Sequence, residues 1–166
     1  MHSYLAITSV LALLAGLVAL LFVFFRDRTP VLTPEGLERA RATWRHHQLL
    51  DYDITLLKKT DMRAPERDKT EVRGGKATRL FVDGTSVPVR DAYSIQGLFD
   101  LMERELEMAS SKPAAPGQPE GAVLKASFHS LGFPLIFKRI APKHQSVAIT
   151  VEKVETPEGR AVTSDQ

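Results

Sequence analysis

Residues 93–111 read YSIQGLFDLMERELEMASS, and they decide the class of the fold. Ser94 is an N-cap residue, and Ile95, Leu98, Phe99, Met102, Leu106 and Ala109 recur behind it at helical spacing. Asp100, Glu103, Arg104 and Glu107 fall on the opposite side, where they are expected to face water. Tyr93 before the cap and Leu98 inside the helix suit a hydrophobic staple. Such a helix is stable only if its apolar stripe is covered. Strands are therefore sought on either side of it.

Upstream, Tyr52-Asp53-Ile54-Thr55-Leu56-Leu57-Lys58 alternates, placing Tyr52, Ile54 and Leu56 on one face of a strand. Residues 61–69 are charged, contain Pro65, and read as a loop. Gly74-Gly75 lies between residues 70–73 and 76–82 and marks a hairpin. Asp83-Gly84 is a second turn signal, but Pro88 makes the run after it an edge at best. Downstream, residues 110–121 are rich in Pro and Gly and read as a flexible linker. Three strands are expected beyond it, at 122–128, 135–140 and 147–154.

A first helix opens at Thr33-Pro34-Glu35, with a cap, a proline at the first helical position and an acid in the first turn. Leu37, Ala40 and Trp44 form its narrow apolar stripe. The expected fold class is α+β: a helix-three-strand unit occurring twice, its strands forming an antiparallel sheet with two helices packed on one face. Trp44, Tyr52 and Phe99 are expected in the core.

From Leu5 to Phe25 the chain carries no charge, a length suited to a transmembrane helix that makes the lipid bilayer a partner. The start lacks Lys and Arg, and no small pair marks a cleavage point, so a single-pass signal anchor is expected in place of a cleaved signal peptide. The domain reading is then a tail at 1–4, the anchor at 5–25, a tether at 26–33, the α+β soluble domain at 34–155 and a disordered tail at 156–166. Arg26 and Arg28 follow the span and favour a cytoplasmic domain under the positive-inside rule.

Composition narrows the chemistry. The chain has 166 residues, 22 Lys+Arg against 20 Asp+Glu, and no cysteine. Disulfides, thiolate metal sites and cysteine nucleophiles are excluded. His46 and His47, with Asp51 and Asp53, supply metal-ligand types, but adjacent helical histidines point about 100° apart and no third ligand is fixed by spacing. Ser127 and His129 share a strand face without a nucleophile-elbow context. Gly74-Gly75-Lys76 lacks the spacing of a phosphate loop, and the basic residues of 58–69 alternate with acids, so no nucleic-acid partner is implied. No catalytic, cofactor-binding or metal-binding residue is assigned, and no cofactor is expected. The function that remains is a membrane-anchored, non-enzymatic binding module with a protein or small-ligand partner. The alternative is a small hydrolase-like or ligand-processing enzyme with a pocket near Ser127 and His129 or near Asp51 and Asp53.

The order of landmarks resembles a family of uncharacterised bacterial domains, domain of unknown function 6174. The features are Trp44 near the end of the first helix, Asp51-Tyr52-Asp53-Ile54-Thr55-Leu56, and the hairpin Val72-Arg73-Gly74-Gly75-Lys76. Ser94-Ile95-Gln96-Gly97-Leu98-Phe99-Asp100 and the turn Gly132-Phe133-Pro134 complete the set, over residues 36–155. The lipobox cysteine common in such exported chains is missing, and His129-Ser130-Leu131 replaces the acidic residue often seen before the Gly-aromatic-Pro turn. The resemblance implies no activity and no site residue. It implies an extracytoplasmic domain, against the arginine argument, and the reading leans to that side.

Overall fold

The computed structural model describes residues 28–47, 49–89, 93–111, 121–141 and 145–162. Helix α1 (Pro34–His47) is followed by strands β1 (Tyr52–Thr60), β2 (Arg63–Arg73), β3 (Lys76–Val82) and β4 (Thr85–Val87). Helix α2 (Ile95–Ser111) comes next, then β5 (Val123–Phe128), β6 (Pro134–Ile140) and β7 (Val147–Glu155). All seven strands join one sheet in the order β4-β3-β2-β1-β7-β6-β5, every pairing antiparallel.

This corrects the expected repeat of a helix-three-strand unit. The first meander has four strands and the second three, and pairing of β1 with β7 fuses them into a single sheet. The uncounted strand is β4, in the run after Asp83-Gly84 expected to be an edge at best, and β2 is longer than expected, taking in residues 63–69 of the expected loop. Those residues join the strand because their charges have cross-strand partners: Lys58 pairs with Glu66, and Lys69 and Arg73 both reach Asp53. Pro65 fits because the β1–β2 register shifts between Lys58 and Thr60, and β3 pairs with β2 only from Asp68 onward.

The expected N-terminal transmembrane helix, with its membrane, single-pass and signal-anchor reading, has no counterpart among the described helices and is corrected to that extent. Among the described residues no helix is long and apolar enough to cross a membrane. The expected span from Leu5 to Phe25 lies outside the described residues. Both described helices have a charged side, which a bilayer core does not accept.

One face of the sheet carries the core. Tyr52, Ile54 and Leu56 of β1 join Val72 of β2, Leu124 and Ala126 of β5, Phe137 of β6, and Ile149, Val151 and Val154 of β7. The helices bring Leu37, Ala40 and Trp44 from α1, and Ile95, Leu98, Phe99 and Met102 from α2, onto that face. The start of α2 is fastened twice: Ser94 Oγ accepts from the Gly97 N–H (3.0 Å), and the buried Tyr52 hydroxyl accepts from the Ile95 N–H (3.0 Å). The helices also lock to each other. Arg41 is buried, its guanidinium 5.6 Å from the Phe99 ring centroid and 3.0 Å from both Glu38 and Glu103. Glu103, expected simply to face water, therefore neutralises a core arginine.

The ends of the domain also adhere to the sheet. The Leu32 N–H donates to Leu124 O (2.9 Å) and the Ala126 N–H to Pro30 O (3.0 Å), so the segment before α1 covers the free edge of β5. Residues 156–162, expected as part of a disordered tail, turn back so that the Val162 N–H reaches Val154 O (2.7 Å).

Candidate functional site

On the helix-covered face the inward positions of β2 run Val72, Thr70, Asp68 and Glu66, opposite Tyr52, Ile54, Leu56 and Lys58 of β1. The apolar surface thus passes into a polar one within a single strand. Lys58 Nζ lies 2.7 Å from Glu66 Oε1 and 3.5 Å from Asp68 Oδ2. Asp68 is only 4% exposed, and it shares the Lys58 ammonium with Glu66, two residues before it on the same strand face. Burial pushes the Asp68 carboxyl above the usual aspartate range, and neighbouring Glu66 raises it further against the pull of Lys58. Glu66 moves the other way, held below the ordinary range by its hydrogen bond to Lys58. Asp68 Oδ1 and Thr70 Oγ1 are buried without a hydrogen-bond partner.

Sequence reasoning missed this cluster because a run of charges with a proline resembles a solvated loop. The available signal was period two. Counting back from Val72, every second residue alternates in step with β1, and the acids Glu66 and Asp68 meet a lysine across the strand.

The residues that the sequence singles out for chemistry are placed apart and tied into the fold. Asp51 Oδ1 accepts from the Gly74 N–H (2.6 Å), fastening the β2–β3 turn, where Gly74 and Gly75 both have positive φ. Asp53 points to the open face, with Arg73 Nη1 at 2.9 Å and Lys69 Nζ at 3.3 Å. One aspartate holds a turn while the other joins an ion-pair ladder, so they do not converge on a common ligand.

Ser127 stands on the open face of β5, opposite Ile136. His129 sits in the turn after β5, its ring stacked 4.3 Å from that of Phe133. Its Nδ1 accepts from the Leu131 N–H (3.1 Å). A catalytic histidine of the serine-hydrolase kind uses an Nδ1–H to engage an orienting acid, and here that nitrogen is an acceptor. Burial also pushes the His129 pKa down, which keeps the acceptor form. His46 and His47 close α1 with their rings 6.0 Å apart at 74°. Among the described residues no three His, Cys, Asp or Glu side chains are grouped to hold a metal ion.

The face opposite the helices has a different corner. Val123 and Ile140 are direct cross-strand partners on it, 39% and 41% exposed. Val31 bridges to Lys125 beside them and is 63% exposed. Lys125 and Lys138, opposite each other, form the adjoining row. Neither a family model nor a curated protein matches this sequence.

Proposed function

We propose that the protein is a non-enzymatic binding module that engages another protein through the open-face corner of Val31, Val123 and Ile140. The observation that carries this reading is three exposed β-branched side chains on one sheet face, with Val123 directly opposite Ile140 and Val31 one pair further along, opposite Lys125. Single exposed apolar residues are ordinary, whereas a contiguous group is characteristic of interaction surfaces. The corner is part of a sheet face, and small-molecule sites are concave and enclosed. The partner is therefore a protein with a matching apolar surface, and not a small ligand. The structural duties of Asp51, Asp53 and His129 support a non-catalytic reading.

The test compares partners recovered with the full-length protein and with its Val123→Glu/Ile140→Glu variant, both checked for the same circular dichroism and melting temperature. A stoichiometric partner retained by the parent and lost by the folded variant supports the assignment. Recovery of the same proteins by both overturns it.

A further inference from the structure

We propose that Glu66 and Asp68 share one proton above the Lys58 ammonium, making this half-buried group a pH-sensitive pin between β1 and β2. Three geometric facts carry it. Two carboxyls on one strand face are served by one ammonium, so full ionisation would leave an uncompensated negative charge on the helix side of the sheet. Asp68 is the buried member, with a side chain 6% exposed against 34% for Glu66, so the neutral form belongs on Asp68. Its Oδ1 has no partner, while Oδ2 faces Lys58. A carboxylic acid that donates from Oδ2 to Glu66 and leaves Oδ1 as a neutral carbonyl fits this pattern. A carboxylate would bury a charged Oδ1 without a hydrogen bond, while Glu66 competes for the one ammonium that Oδ2 faces.

The surroundings offer little competition. The charge of Arg63, at the start of β2, acts on Glu66 more weakly than that of Lys58. The neighbouring inward residues are Val82 on β3 and Ile149 and Val151 on β7. The Glu105 carboxylate of α2 is engaged by Arg139 of β6 at 3.2 Å. A group that binds its proton more tightly in the fold than in the unfolded chain stabilises the fold at lower pH. That contribution is lost as pH rises through the folded-state value. Above it Asp68 and Glu66 repel, and the pairs Leu56–Asp68 and Lys58–Glu66 bear the strain.

Titration of the side-chain carboxyl ¹³C resonances of the full-length protein tests this. Asp68 is expected to titrate above the ordinary aspartate range and Glu66 below the ordinary glutamate range. In Glu66→Gln the Asp68 midpoint is expected to fall by about one pH unit or more, because the charged acceptor of the shared proton is gone. Asp68 titrating in the ordinary range in the parent overturns the proposal. So does an Asp68 midpoint unchanged in Glu66→Gln, which would assign the effect to burial alone. If Glu66→Gln does not fold, amide exchange decides between parent and Asp68→Asn. The Leu57 and Asp68 amides of the parent should accelerate beyond the base-catalysed tenfold per pH unit as Asp68 ionises, and those of Asp68→Asn should not. Identical pH profiles for the two overturn the proposal.

Discussion

Phe99 shows how one side chain joins both helices to the sheet. It is fully buried, with the Arg41 guanidinium over its ring and Phe128 stacked parallel at a centroid distance of 6.3 Å. Phe99→Ala is expected to lower stability by about 3–5 kcal/mol, since it removes a large core ring and also the aromatic face beneath a buried cation. Urea unfolding followed by circular dichroism measures this; a loss below about 1 kcal/mol would mean the site collapses to refill itself. Phe99, Trp44 and Tyr52 are legible in the sequence as core because their apolar neighbours repeat at the helical or strand period. Arg41 and Asp68 are not. A buried charge is revealed only by its partners, and those of Arg41 lie up to 62 residues away at Glu103.

At the scale of elements, legibility follows periodicity. The stripe of α2 and the Gly74–Gly75 hairpin can be read directly, since one is set by helical spacing and the other by two residues of positive φ. The first half of β2 cannot, because its inward residues are Glu66 and Asp68 and only the neighbouring strand explains them. The β5–β6 turn adds an element that spacing does not reveal. Gly132 has φ +92°, and a Cβ there would lie 2.4 Å from Ala40 O and 2.5 Å from Trp44 N, both backbone atoms of α1. The turn is therefore seated on the helix, where Phe133 meets Trp44 edge-on at 6.0 Å. Gly132→Ala is expected to cost about 2 kcal/mol or more, since the backbone conformation and the helix contact both resist it. Thermal or urea unfolding of the variant provides the check. Stability equal to the parent would show that α1 moves aside freely.

At the scale of the molecule, one sheet has two unlike faces. One is covered by α1 and α2 and contains the polar pin at its margin. The other carries ion pairs such as Arg67–Glu152 and Lys69–Asp53, with an apolar corner at Val31, Val123 and Ile140. The expected two-fold repeat concealed this, because the joining of the two meanders through β1 and β7 depends on long-range pairing that local sequence does not encode. The candidate enzyme residues were equally hard to judge in sequence, where Asp51, Asp53, Ser127 and His129 show their types but not their structural partners. The proposed role of the open-face corner is to meet a protein. It is tested most directly by photo-cross-linking in the native cell, with a photoreactive side chain at position 123 and a control at exposed Met108 on α2. A discrete protein adduct is expected from position 123 and none from position 108. No adduct at 123, or the same adducts from both positions, would contradict it.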